Sequence, residues 1–400
     1  MVAFVLLSAC GSDFLWVETI NPPSTTTTTS STTTTTRPRP TTTTTVRAST
    51  TTTTAAGKTA ATGVAAARPN STPTTRAPAA ALPSVAPPPQ VPKPQAPPRL
   101  TAPLTGLPMD AAGSQRPVLV VKIDNAPKAR PQIGLNQADV VFEEGVEGGI
   151  TRFAALFHSK SSDPVGPVRS ARSTDINIVS ALHRPLFAYS GANEVFKEYV
   201  SRAPLVDVGV DKYPDRYHRD DSRPSPNNLF SSTPLLEELA PGGSRPPPPL
   251  FPFRNPGEAA SGADARPVSQ ATALWRGASK ETVALWEWDA TAQGWKRTQN
   301  GEPHVDGAGR QVTPANVVLQ FVNYRDTGLV DSSGTSVPEA EVVGEGDAWV
   351  LTGGTLIPAH WSKPSAEEVT RFVDHAGAEV RLAPGRTWVE LVPPGQGTAL

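Results

Sequence analysis

Arg169 and Arg172 stand three residues apart, just ahead of an apolar spacing that predicts a helix from Thr174 to Leu182, with Ile176, Val179 and Leu182 on one stripe. A helix start leaves backbone N–H groups unpaired and carries partial positive charge. Two guanidiniums beside it make a place for a phosphate or carboxylate, with Ser170, Ser173 and Thr174 as hydroxyl donors or caps. The competing reading is structural, with both arginines paired to Glu143, Glu144 or Glu147. Those carboxylates form a second candidate. Asp124 closes one strand pattern, and Glu143, Glu144 and Glu147 end or follow the next, so strand ends bring them towards one crevice. Paired carboxylates hydrolyse glycosides when their spacing and pKa values are suitably split, which makes Asp124 and Glu147 the leading catalytic pair. Asp124-Asn125 is equally a good strand-terminating turn. The six histidines (158, 183, 218, 304, 360 and 375) are scattered with no pair at ligand spacing, so no metal site is expected. There is no Gly-x-Ser-x-Gly elbow and no phosphate-binding glycine-rich loop, and no cofactor is expected. Gly148-Gly149 reads as a tight turn.

The elements that must position these groups begin at Arg116. Strand patterns run from Pro117 to Ile123, Ala138 to Phe142, Ile150 to His158, Leu186 to Ser190 and Leu205 to Val210. Between them fall the helix after Arg172, a second from Asn193 to Ser201 with Val195, Phe196 and Tyr199 inward, and a short one from Leu235 to Ala240 with Pro234 in its first turn. This alternation predicts an α/β domain over 104–240 with a mixed or parallel sheet. Residues 241–270, proline-dense from Arg245 to Pro256, read as an irregular connection. Residues 271–395 read as a smaller, β-rich (α+β) domain, with strands at Thr282–Trp288, Asn316–Tyr324, Ala348–Leu351, Thr355–Trp361, Arg371–Val373, Val380–Leu382 and Thr387–Val392. Most of the tryptophans lie there. Core packing is the plain reading for them, and a carbohydrate-stacking face the alternative for one or two.

The first hundred residues have another character. Four runs of five threonines lie between Ser24 and Thr54, and Arg68 to Pro103 is mostly Pro, Ala and Thr. Such a chain has too little to bury to offset its ordering entropy, so residues 11–103 are expected to be a disordered tether. Fully extended as polyproline II it would span about 250 Å, and as a coil about 50 Å. Residues 1–100 hold eight Lys/Arg against two Asp/Glu, a balance of +6, and the remainder 28 against 35, a balance of −7. The basic tether favours anionic surfaces, and the acidic body argues against general nucleic-acid binding. A single cysteine, Cys10, rules out an internal disulfide framework. Leu7-Ser8-Ala9-Cys10 behind the apolar Val2–Leu7 run reads as a lipobox, in which the thiol takes a diacylglyceryl group. No Lys or Arg precedes Cys10, so the expected basic start of residues 1–10 as a signal peptide lies upstream of this beginning. The expected place is the outer face of the cytoplasmic membrane, held by lipid at Cys10, since no other segment is long and apolar enough to span.

Several blocks carry a family pattern. Arg116-Pro117 is followed by Lys122-Ile123-Asp124-Asn125-Ala126-Pro127-Lys128-Ala129-Arg130-Pro131-Gln132; Gln137 to Glu143 and Val146 to Phe153 follow, then Val165-Gly166-Pro167-Val168-Arg169-Ser170-Ala171-Arg172. Trp361-Ser362-Lys363-Pro364 and Pro384 to Val389 complete the set. In this order they resemble the YerB-type lipoproteins, a family defined by a domain of unknown function (DUF3048). The resemblance implies an extracytoplasmic lipoprotein with an N-terminal α/β domain and a smaller C-terminal domain, and no established reaction. Within the blocks, Asn125, Arg130, Arg152, Arg219 and Arg223 join Arg169, Arg172 and Asp124 as candidate ligand-binding residues. The run Arg219 to Leu229 resembles a family block in which a histidine often stands at the position of Asn227, so a role needing an imidazole there is in doubt.

Three functions remain open from the sequence. The first is a non-catalytic envelope module that recognises an anionic wall component or an envelope enzyme. The second is a hydrolase acting on peptidoglycan or another wall polymer. The third is a spacer that docks a partner through exposed tryptophans or strand edges.

Overall fold

In the computed structural model the described residues are 100–400, apart from 112, 278, 279, 332 and 333. Cys10 and almost all of the expected tether lie outside them. At the tether's end, Ala102 and Leu104 are already buried, so packing starts slightly ahead of residue 104.

The N-terminal half supplies β1 (Leu119–Asp124), β2 (Val140–Gly145), β3 (Thr151–Phe157), α1 (Ser173–Val179), β4 (Leu186–Ala188), α2 (Glu194–Arg202), β5 (Val206–Asp207), the ribbon β6 (His218–Arg219) and β7 (Leu229–Phe230), and α3 (Thr233–Glu237). After the proline-dense stretch come β8 (Arg266–Pro267), β9 (Gln270–Arg276), β10 (Glu281–Asp289), β11 (Gly294–Gln299) and β12 (Glu302–Pro303). The chain ends through β13 (Asn316–Phe321), β14 (Tyr324–Val330), β15 (Ser336–Ala340), β16 (Gly344–Thr352), β17 (Thr355–Lys363), β18 (Arg371–Asp374), β19 (Thr387–Val392) and β20 (Gly397–Ala399).

The architecture is β-rich, with three short helices among the described residues. The main sheet is mixed and runs β18-β17-β16-β13-β19-β2-β3-β1-β4-β5, with β8 beside β17. Parallel pairing of β19 with β2 joins the two halves in one sheet, with Trp388 opposite Val141 and Glu390 opposite Glu143. All six residues of β1 are buried because alternate side chains serve two cores. Leu119, Val121 and Ile123 belong to one core with Trp275, Trp286, Trp295 and Trp388, against the second sheet β12-β11-β10-β9-β20. Val118 and Val120 belong to the other, with Ile178, Val179 and Leu182 from α1 and the turn after it.

The expected helices occur with shifted ends. Tyr199, expected inward on α2, is 45% exposed, because Phe196 and Val200, four apart, form the buried face. The strand expected from Asn316 to Tyr324 breaks after Phe321, and Tyr324 opens the β14–β15 ribbon. Val380 and Leu382 are buried, but the run forms no strand of its own, since Leu382 exchanges hydrogen bonds with Pro252 and Arg254 of the proline-dense segment. No helix among the described residues is long and apolar enough to cross a membrane.

Candidate functional site

One edge of the main sheet gathers the end of β1, the β2–β3 turn and the start of β3, with Asp124 opposite Arg152 in the β1–β3 register. The chain from Val165 to Arg172 crosses this edge. Asp124 N–H donates to Pro167 O (2.9 Å), Arg169 N–H to Lys122 O (2.8 Å), and Ser190 N–H to Arg169 O (2.9 Å). The ends of the parallel strands β1 and β4 thereby hold Arg169 in place. Arg172 is fixed by α1, where it is the N-cap residue: its N–H donates to Asp175 Oδ2 (2.7 Å). Asp175 Oδ1 in turn accepts from Lys122 Nζ (2.8 Å), which also meets Glu144. Lys122, Asp175 and Glu144 are fully buried, so this ion cluster locks the helix start onto β1 and β2. Burial raises the Glu144 carboxyl above its ordinary value despite Lys122.

Arg152, Arg169 and Arg172 line one cavity of about 350 Å³, with Ser170, Asn193 and Phe196 among its walls and Val330 and Asp331 at the β14–β15 turn. Each arginine is partly committed. Arg169 gives only Nε to Asp124 Oδ2 (3.1 Å) and is 26% exposed. Arg172 gives Nε to Glu147 Oε1 (2.5 Å) and Nη1 to Ala171 O (2.8 Å). Arg152 gives Nη1 to Ser170 O (3.2 Å) and lies 3.8 Å from Glu147 Oε2, while its buried Nε has no partner among the described residues. Burial first, then the charges of Arg172 and Arg169, bring the Arg152 pKa down to about 10. Three guanidiniums thus share a wall, and the terminal nitrogens of Arg169 and Nη2 of Arg172 meet no acceptor among the described residues. Asp331 accepts from Thr335 N–H (3.0 Å). With Glu147, Asp124 and Asp331 present, the cavity offers directed donors rather than surplus charge.

The two carboxylates of the expected catalytic pair are occupied. Asp124 Oδ2 accepts from Arg169 and from Asn227 Nδ2 (2.5 Å), and its Oδ1 accepts from Ala126 N–H (3.1 Å). Glu147 faces Arg172 and Arg152. Asn227, at the position where a family histidine was noted, is therefore a neutral donor to Asp124.

The other candidates go elsewhere. Asn125 points away from Asp124 into the core, where its Nδ2 donates to Thr151 Oγ1 (2.7 Å) and Gln299 Oε1 (3.0 Å). Arg130 lies near the same network, its Nε unpartnered and its pKa lowered by burial and by Arg297. Arg219 donates to Asn228 Oδ1 (2.7 Å), and Arg223 pairs with Asp220 (3.2 Å) and covers the Phe230 ring, on the β6–β7 ribbon outside the cavity walls. Ser173 Oγ has no partner among the described residues, and Thr174 Oγ1 accepts from Ala340 N–H (3.0 Å), which ties α1 to β15.

Sequence reasoning missed the buried polar cluster behind the arginine edge. Arg297 Nη2 donates to both oxygens of Glu143 (2.9 and 2.8 Å), and Trp388 Nε1 adds a third donor (3.1 Å). Arg297 Nη1 donates to Gln299 Oε1 (2.7 Å) and to His304 Nδ1 (2.5 Å), and His304 Nε2–H donates to Gln132 Oε1 (2.8 Å). Burial and the neighbouring Arg297 and Arg130 hold the His304 pKa well below normal, consistent with this neutral tautomer. Glu390 accepts from Trp286 Nε1 (2.8 Å), and burial and then the Glu143 charge push its carboxyl well above the usual range. Its Oε2 meets no donor, and a proton there supplies a hydrogen bond to Glu143 that two carboxylates lack. The available signal was charge inside apolar strands: Lys122 in β1, Glu143 and Glu144 in β2, Glu390 in β19.

Two family models match the chain: the N-terminal domain of the protein of unknown function DUF3048 over residues 104–244, and its C-terminal domain over 275–389. The chain is 27% identical over 304 residues to the "Putative lipoprotein YerB" of Bacillus subtilis (strain 168), covering 74% of this chain and 87% of that protein. A crystal structure of the YerB protein from Bacillus subtilis superimposes with a TM-score of 0.65 at 24% identity, covering 76% of this chain and all of the other. The structural likeness supports the shared fold.

Proposed function

The chain belongs to the DUF3048 family, and from the arginine cavity we propose that it is a lipid-anchored, non-catalytic module that binds an anionic group of the cell envelope. The observation that carries this reading is the shared wall of Arg152, Arg169 and Arg172, with the terminal nitrogens of Arg169 and Nη2 of Arg172 uncommitted among the described residues. A planar guanidinium with two free N–H groups suits an oxyanion, whether phosphate or carboxylate. The cavity volume of about 350 Å³ suits one such group with the sugar or peptide unit that bears it. The lipoprotein name of the Bacillus relative supports reading Leu7-Ser8-Ala9-Cys10 as a lipobox, and on that reading the body lies outside the membrane at the end of the Thr/Pro tether.

The test is co-sedimentation of the purified full chain with insoluble wall material, with and without its anionic polymers. Wild type is expected to sediment with the anionic material, and Arg169→Ala with Arg172→Ala to remain in solution while still folded. Wild type that stays in solution would remove the proposal. Turnover of muropeptides that Glu147→Gln abolishes would replace it with the hydrolase.

A further inference from the structure

A separate cavity of about 520 Å³ lies where the proline-dense segment meets the end of β10 and the β16–β17 turn. β10 buries Thr282, Ala284 and Trp286 on one face, and Trp288, next on that face, lines this cavity and is only partly buried. Its ring lies 5.2 Å from Trp295 and tilted by 52°, so the two do not stack. Trp275, Trp286, Trp295, Trp361 and Trp388, by contrast, are buried in the core.

Two glycines of the β16–β17 turn let Trp288 and Arg254 approach closely at the cavity. A Cβ at Gly354 would sit 2.7 Å from Trp288 Nε1, and one at Gly353 would sit 2.8 Å from Arg254 Nη2. Gly353 and Gly354 adopt positive φ, 61° and 73° respectively, where L side chains are strained. The polar groups around the ring are held in place. Arg254 donates to Thr352 Oγ1 (2.8 Å) and Glu258 O (2.8 Å), and Glu258 Oε2 accepts from Asn255 N–H (2.9 Å) and Nδ2 (3.2 Å). Gln293 Nε2 donates to Ala290 O (2.7 Å) within a turn that Asp289 pins through Thr291 and Ala292. These bonds leave Asn255 Oδ1, Gln293 Oε1, Arg254 Nη2 and Trp288 Nε1 without partners among the described residues.

We propose that this cavity is a binding site for a neutral oligosaccharide, with Trp288 as the stacking platform and Asn255, Gln293 and Arg254 as hydrogen-bonding partners for its hydroxyl or acetamido groups. The C–H face of a pyranose carries partial positive charge and meets the negative face of an indole. Two amide oxygens accept from hydroxyls, and the Arg254 and Trp288 N–H groups donate to ring and acetamido oxygens. Arg254 and Glu258 both line the cavity, so its wall carries one charge of each sign and no net charge, which suits a neutral sugar. The polar groups are preorganised, which lowers the cost of binding.

Triacetylchitotriose and maltotriose serve as uncharged probes, so the outcome does not depend on the arginine cavity. Each is titrated into the full chain in detergent micelles, read by tryptophan fluorescence and calorimetry. Saturable binding of at least one is expected, weakened about tenfold or more in Trp288→Ala and a few-fold in Gln293→Ala and Asn255→Ala. The two amide positions border the cavity outside the core, so they keep the test valid if Trp288→Ala unfolds. No saturation by either sugar up to about 10 mM, or binding unchanged in the two amide variants, overturns the proposal.

Discussion

Replacing Glu390 with glutamine isolates the energetics of the buried core. Glu390 and Glu143 face each other in register on β19 and β2, both fully buried. Arg297 serves this pair, and its Nη2 bonds go to Glu143. The Glu390 carboxyl is held well above the usual range by burial and by Glu143, so the folded state keeps a proton that the unfolded chain releases. The unfolded state then binds fewer protons, and stability falls as pH rises. The favourable contribution is complete below the ordinary carboxyl value of about 4.3 and is lost as pH climbs towards the folded value, at up to about 1.4 kcal/mol per pH unit. Glutamine preserves the shape, accepts from Trp286 Nε1 as Glu390 does, donates an N–H towards Glu143 and has no proton to release. Between pH 5 and pH 7, Glu390→Gln is therefore expected to gain on wild type, by at most the roughly 3 kcal/mol that one proton allows over two pH units. Urea unfolding of both proteins at pH 5, 6 and 7 measures it. Parallel pH profiles would refute the reasoning, because they would mean that Glu390 ionises alike in both states.

Lys122→Met leaves Glu144 and Asp175 buried without their cation, and a loss of about 3–5 kcal/mol is expected in the same unfolding assay. Because Asp175 also caps α1 at Arg172, that variant should lose anion binding even where it remains folded. Gly148 and Gly149 separate strain from collision. Both have positive φ, 73° and 78°, but a Cβ at Gly148 meets open space, whereas one at Gly149 would sit 2.2 Å from Lys280 O and 2.5 Å from Gly277 N. Gly148→Ala should cost about 1–2 kcal/mol and Gly149→Ala clearly more, compared by thermal unfolding. Arg169→Ala should cost no more than about 1–2 kcal/mol, since Asp124 keeps Asn227 and Ala126 as donors and Arg169 is a quarter exposed.

The strands that carry Asp124, Glu143 and Trp388 were legible because each is a near-continuous apolar run buried on both faces. β11 was not legible, for a physical reason. Its inward residues are Trp295, Arg297 and Gln299, so the alternation is present but the inward set is largely polar, serving Glu143 and His304. β15 was hidden by Pro338 and Glu339, and β9 by its start at the end of the segment read as irregular. At the site, the nearness of Arg169 and Arg172 to the helix start followed from spacing alone. Arg152 could be named from its block, but its place on the same wall depends on the β1–β3 register. Asn125 and Asp124 were read together. Consecutive residues at a strand end face opposite sides, which sends one to the core cluster and the other to the cavity edge.

The most direct test of the central claim is calorimetric titration of the full chain with glycerol 3-phosphate, beside Arg169→Ala and Arg172→Ala. The arginine cavity predicts saturable one-to-one binding in wild type and a loss of about tenfold or more in Arg169→Ala with its fold intact. No saturation in wild type, or equal binding in the variants, would contradict it.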